Sequence, residues 1–349
     1  MKNIQETYRI KQFFTMRNEG LREAWLAMEQ EPETSQFLYY NYVREIFRQT
    51  AWLNPAYIPV ICCLLDKEGT ICAIAPMKWN IGKRKWKMLA DIQGCGEAGW
   101  LMRRDASDEE KAYMTSTLLN HLGHHAQLRR VLATSPLANQ LRSRSEWRCT
   151  MSTNCVRIDF SDDIDGYLKT LRPSVRQNIR TAYNRMSRDG MAYELQIFDN
   201  KRPIDKQDWT EIMDLYLKRL FGKYKQKKVS NGLKKWYAHL FYRHIKHDTR
   251  SLHYLPNSWH AILYIGGKKA AFMSGFVSHA PGKEKSIVVP RLAIDAEASF
   301  YSPGMVLVCE TLRYLAANTE IRTLNLSRGE EKYKYDMGGT AYPTLDFML

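Results

Sequence analysis

Residues 301–336 read YSPGMVLVCETLRYLAANTEIRTLNLSRGEEKYKYD. A small-residue turn, Tyr301-Ser302-Pro303-Gly304, precedes an apolar helix and a short strand, and Ser327-Arg328-Gly329-Glu330-Glu331-Lys332-Tyr333-Lys334 follows. Ser302 is placed to cap the helix, Pro303 suits its first turn, and Gly304 lets a ligand approach the backbone. Unpaired amides at such a start favour an anion, with phosphate or pyrophosphate as the natural guest. The same residues also make an ordinary helix cap, and the stretch by itself leaves both readings open.

Met305, Val308, Cys309, Leu312 and Ala316 recur with helical period, and residues 321–326 read as the strand after them. Before the stretch, 259–265 and 270–279 flank Gly266-Gly267-Lys268-Lys269, a hairpin signal, and 286–295 is a third strand. Further back come a strand at 154–160, a short helix at 164–171 and a helix from Pro173 through Arg188 with Val175, Ile179, Ala182 and Met186 inward. A strand at 191–198 and a helix capped by Asp205 complete this half. The N-terminal half reads as helices at 6–30 and 34–48, the second capped by Ser35. A hairpin at 59–65 and 70–79, a strand at 85–92, the helix Asp108–Leu122 and a strand at 129–133 follow. A final strand is expected at 343–347. The expectation is an α/β (α+β) chain of two lobes, 1–153 and 154–349, each a mostly antiparallel mixed sheet flanked by helices.

The 349 residues bury a sizeable core readily, and 44% hydrophobic with 12% aromatic residues describes a folded chain. Seven cysteines without a Cys-x-x-Cys spacing point to free thiols and away from a metal centre. No run of about 18 apolar residues occurs, which argues against a membrane span, and the first residues lack a signal-peptide pattern. A cytoplasmic location follows as the simplest expectation. The net charge of +15 favours polyanionic partners; coenzyme A, transfer RNA, DNA and acidic membrane surfaces all satisfy it, and charge alone does not choose among them. Between Lys218 and Arg250, basic residues interleave with aromatics; this composition serves either nucleic acid or helices with a solvated basic face. No recognised nucleic-acid module surrounds them, and DNA is not expected as a partner.

Residues 171–180 (LRPSVRQNIR), 301–304 and 327–334, in that order and separation, resemble the Gcn5-related acyltransferase superfamily, in its cellulose-biosynthesis-protein-like, BioF2-like acetyltransferase branch. The resemblance covers 154–349 and extends more faintly to the first lobe, which looks like a degenerate repeat. It implies two similar lobes, as in Fem-type aminoacyltransferases. It also implies acetyl-CoA or another acyl-CoA as co-substrate, with its pyrophosphate on the amides near Ser302, Gly304 and Met305. The strand around Leu292, Ala293 and Ile294 then carries the thioester. Relatives often have an aspartate where this chain has Asn325.

Acyl transfer needs proton removal from the nucleophile, oxyanion stabilisation and protonation of the departing thiolate. Tyr333 is the candidate acid, Lys334 a candidate for substrate or phosphate charge, and Asp295 a candidate base, with Glu297, Glu330 and Glu331 as alternatives. Arg176, Arg180, Asn325, Arg328 and Glu330 are candidates for holding the acceptor. The function expected is an acyl-CoA-dependent N- or O-acyltransferase acting on an amine or hydroxyl of a small molecule or a cell-envelope saccharide precursor. The alternatives are a Fem-type transferase using aminoacyl-tRNA and a non-catalytic binding or scaffold protein that keeps the fold.

Overall fold

The computed structural model describes residues 8–30, 36–91, 95–225, 252, 255–278 and 285–349. Within these, the chain forms two units: residues up to Cys155 with Tyr342–Leu349, and the stretches between Val156 and Ala341.

The first unit contains β1 (Arg9–Phe13), α1 (Glu19–Met28), α2 (Tyr40–Leu53), β2 (Tyr57–Leu65), β3 (Ile71–Asn80), β4 (Lys85–Met88) and β5 (Leu101–Met102). It continues with α3 (Asp108–Leu122), β6 (Ala126–Leu132), α4 (Pro136–Arg142) and β7 (Arg148–Met151). The second contains β8 (Cys155–Asp159), α5 (Ile164–Thr170), α6 (Pro173–Arg188), β9 (Tyr193–Phe198), α7 (Lys206–Lys225), β10 (Ser258–Ile265), β11 (Lys268–Val277) and β12 (Ser286–Ile294). Then come α8 (Pro303–Asn318), β13 (Thr323–Arg328), α9 (Lys332–Asp336) and β14 (Thr340–Tyr342); β15 (Thr344–Met348) closes the chain.

The first sheet runs β1-β2-β3-β4-β6-β15-β7, with β5 on β3; the second runs β14-β8-β13-β12-β11-β10-β9. The described pairings are mostly antiparallel. Each sheet also has a parallel pair whose strands are separated in sequence by a helix: β4 and β6 around α3, β12 and β13 around α8. The expected mixed α/β class with two antiparallel-dominated sheets is what the chain adopts.

Two of the expected elements need correction, and one helix was not foreseen. Residues 6–30 do not form one helix: Arg9–Phe13 pairs with β2, and Asn18 Oδ1 accepts the Leu21 amide at 2.9 Å to start α1 only at Glu19. A cap inside an otherwise plausible window resets the helix start. The final strand, read as part of the second lobe, lies between β6 and β7 of the first sheet, pairing Leu345 with both Val131 and Met151. Finally, α4 was not foreseen, although Ser135 followed by Pro136 is a start signal and Ser135 Oγ does accept the Ala138 amide at 3.2 Å. The Ser35 cap and most of the basic stretch 218–250 lie outside the described residues.

In the second unit α6 and α8 cover one sheet face. Val175, Ile179, Ala182 and Met186 of α6 join Leu307, Val308, Leu312 and Leu315 of α8 over Ala261, Leu263, Ala271, Met273, Ile287, Val289, Leu324 and Leu326. Each fully buried aliphatic side chain contributes about 1.5–3 kcal/mol, so the stripe read from α6 fixes that helix on the sheet.

Candidate acyl-transfer site

The site is built around the place where β12 and β13 part. Their parallel register covers Ser286–Thr323, Ile287–Leu324 and Val288–Asn325, and no pairing between them continues beyond. The sequence explains the separation. Asp295 N donates to Ala270 O, so residues 291, 293 and 295 turn their backbone groups to β11 while 290, 292 and 294 turn theirs to β13. Pro290 has no amide hydrogen to give, and the ladder ends there. Beyond it the amides of Leu292 and Ile294 face the gap. On the far side β13 bends at Ser327, whose φ of 55° is left-handed.

A bulge between Ser274 and Phe276 lets β12 take this course. Gly275 makes it possible: a Cβ there would lie 1.8 Å from Val288 O, nearer than any atom can approach.

At the far end of β12, α8 begins beside Ile294, whose Cγ2 would be 3.3 Å from a Cβ on Gly304. Ser302 does not cap as expected. It adopts φ 49° and ψ 51°, its side chain makes no cap bond, and its carbonyl instead accepts the amides of Met305 and Val306. The first turn of α8 has no acid. The equivalent crossover helix of the first unit is the reverse: α3 closes its start with a Ser107–Glu110 capping box and carries Asp108, Glu109 and Glu110 in its first turn. Three carboxylates repel an anion where α8 would attract one.

The gap is roofed by residues past β13 and by one arginine of α7. Arg219 Nη1 donates to Leu292 O, and its Nη2 lies 3.5 Å from Glu331 Oε1. Lys334 is 3% exposed, and its ammonium donates to the carbonyls of Leu326 (2.9 Å), Ser327 (3.4 Å), Arg328 (3.1 Å) and Gly329 (3.1 Å). It also lies 3.1 Å from Glu331 Oε2. Burial pushes the Glu331 carboxyl up, but Lys334 and Arg219 outweigh it and hold the group below the usual carboxylate range. Half-buried Tyr333 packs beside them, and burial, reinforced by Glu331, raises its phenol so that it stays protonated at neutral pH.

The structure gathers some predicted residues here and leaves others apart. Leu292, Ala293 and Ile294 form the end of β12, with Ser302, Gly304 and Met305 at the neighbouring helix start. Asp295 follows directly and accepts the Glu297 amide at 3.2 Å. Asn325 is buried at the last paired position and accepts the Ser327 amide at 2.8 Å, which is local bracing of the bend. Arg328 lends its carbonyl to Lys334, and exposed Glu330 receives the Tyr335 hydroxyl at 3.3 Å. Lys334, expected to meet a substrate charge, has its donors occupied by the chain.

Arg176 and Arg180 are on the exposed side of α6. The α6 arginines that reach the turn before α8 are Arg185, which donates to Phe300 O at 2.8 Å and lies 4.4 Å from that ring, and Arg188, 5.8 Å from it. Arg176 is nine residues further back, about 13 Å along the axis. Arg219 was missed as the second residue of the basic run that Lys218 opens, and nothing local to its sequence separates it from its neighbours.

Among the described residues no helix is long and apolar enough to cross a membrane, and no cluster of His, Cys, Asp and Glu is suited to a metal.

Residues 173–335 match a family model described as an acetyltransferase (GNAT) domain, so the second unit contains a GNAT-like domain. No curated protein matches the chain. Among solved structures it is similar to FemX, at 7% identity over 97% of each chain with a TM-score of 0.58. It is also similar to the C-terminal domain of a putative lysylphosphatidylglycerol synthetase from Agrobacterium fabrum, at 13% identity, 94% of this chain, 91% of that one and a TM-score of 0.53. The L-PGS structure from Bacillus licheniformis gives 12%, 94%, 91% and 0.53. At such identities the likeness is one of fold, and the two-lobed α/β arrangement is shared.

Proposed function

We propose that the second unit transfers an acyl group from an acyl-coenzyme A thioester to an amine or hydroxyl, as on a cell-envelope sugar or polysaccharide precursor. The observation that carries this reading is the parting of β12 and β13 beside an acid-free helix start. A gap edged by the Leu292 and Ile294 amides suits an extended thioester arm, and the acid-free start of α8 suits its pyrophosphate at Gly304, the Met305 amide being given to Ser302 O. The Leu292 and Ile294 amides would bind the oxyanion; one such donor contributes about 3–4 kcal/mol. Tyr333 would protonate the thiolate and Asp295 would receive the acceptor's proton. Arg176, Arg180 and Glu330, exposed beyond the gap, remain proposed contacts for an extended acceptor, and Lys334 is reassigned to holding the roof. The acid-rich start of α3 supports placing the donor in the second unit.

Calorimetric titration with acetyl, succinyl and longer acyl-coenzyme A tests this directly. Saturable uptake, abolished by Gly304→Trp, is expected; no uptake at millimolar ligand refutes it. The similarity to FemX over the whole chain, with the +15 charge, favours aminoacyl-tRNA as a second donor reading. That reading requires tRNA affinity to fall steeply with salt, and a flat response excludes it.

A further inference from the structure

We infer that Ser327 is a catalytic residue of this unit, its hydroxyl donating a hydrogen bond to the thioester as negative charge develops there. The inference rests on the acyl-transfer reading and adds a residue to it.

Three independent features single out this serine. Its backbone is left-handed at φ 55°, one of four non-glycine residues with positive φ among the described residues, and for such a residue this costs about 1–2 kcal/mol. It is 2% exposed, yet its Oγ is buried without a hydrogen-bond partner. A buried hydroxyl left unpaired costs about 1–3 kcal/mol. Finally, the chain spends buried polar groups to hold it: Asn325 Oδ1 takes its amide, and the Lys334 ammonium gathers its carbonyl with those on either side.

A position that is strained, unsatisfied and firmly braced is one the fold does not need for its own stability, and such positions concentrate where a ligand supplies the missing partner. The location names that ligand. Ser327 is two residues past the last β12–β13 pair, on the lip opposite the gap-facing amides of Leu292 and Ile294. A thioester in the gap therefore has amide donors on one side and the strand end that carries this buried, unpartnered hydroxyl on the other.

In the reaction the acceptor's lone pair forms the new bond to the carbonyl carbon, and the C=O pair moves onto oxygen. When the carbonyl reforms, the C–S bond breaks and sulfur leaves with its electron pair. The acceptor's proton passes to the base, and the thiolate is protonated by the acid. Ser327 keeps its own proton throughout and stabilises charge by hydrogen bonding alone.

The test compares wild type, Ser327→Ala and Ser327→Gly in acyl-coenzyme A binding, single-turnover transfer to a panel of small amines and aminosugars, and urea unfolding. Wild-type protein that neither binds nor transfers defeats the acyl-transfer reading, and this inference with it. With wild type active, Ser327→Ala is expected to slow transfer about tenfold to a hundredfold at little changed donor affinity. Its unfolding midpoint should stay equal or rise, since an unpaired hydroxyl is removed. Ser327→Gly should be more stable still and equally slow. Three results overturn the assignment: undiminished transfer by Ser327→Ala, recovery of transfer in Ser327→Gly, which would locate the effect in the backbone, or a lowered midpoint for Ser327→Ala, which would show the hydroxyl already partnered in the free protein.

Discussion

Replacing Lys334 by Met separates a chemical role for this lysine from a structural one. The side chains are similar in length, so the change removes charge and donors with little change in volume. Four carbonyls then lose a common donor, and Glu331 loses the nearer of its two cations. Two of those hydrogen bonds, to Leu326 and Ser327, are buried; the other two and the ion pair are part-exposed, and water can replace them. Removing one member of a buried charged cluster costs about 3–5 kcal/mol, and the exposed share lowers the expectation to roughly 3 kcal/mol. Urea unfolding followed by tryptophan fluorescence, with and without the substitution, measures it. A loss below about 1 kcal/mol with transfer abolished would refute the reasoning and return Lys334 to direct contact with substrate.

Gly275→Ala should destabilise the second unit by about 3 kcal/mol or prevent its folding, because Val288 O is a backbone atom that cannot yield; a normal thermal midpoint would contradict this. Ser302→Gly should raise stability by about 1 kcal/mol by relieving a left-handed serine, as read from the unfolding midpoint. Glu29 supplies a pH test in the first unit. Burial pushes its carboxyl from the ordinary 4.5 up to about 7, even though it accepts the Tyr40 amide. Between those pH values the folded chain holds the proton more tightly than the unfolded chain, so stability falls as pH rises through the window and levels off above it. Glu29→Gln should flatten that slope in unfolding curves taken at pH 4.5 to 8.

Local signals carried parts of both units well. The α6 stripe from Val175 to Met186, the Gly266-Gly267 hairpin and the Asp108–Leu122 helix all appear where their residues place them, because period, turn chemistry and caps agree there. The strand and helix start that border the gap were legible for the same reason, as strand 286–294 and the turn at 301–304 are close in the sequence. What escaped reading depends on distance in sequence. Arg219 meets Leu292 and Glu331 only after folding, Lys334 finds its carbonyls through the bend at Ser327, and the pairing of β15 with β6 joins residues more than 200 apart. Residue type alone could not distinguish a lysine that brackets carbonyls from one that binds phosphate.

The place of β15 also sets an order of assembly. The first sheet has β6 and β7 on either side of a position that residues 344–348 fill, and the ribosome delivers those residues only after the whole second unit. Until then two strand edges stand open, a hazard for pairing with other chains. Synthesis therefore favours the second unit finishing first, with the first sheet sealed by the strand that follows it. A fragment stopping at residue 155 lacks that seal, and shortening the chain before Thr344 damages the unit that was made first.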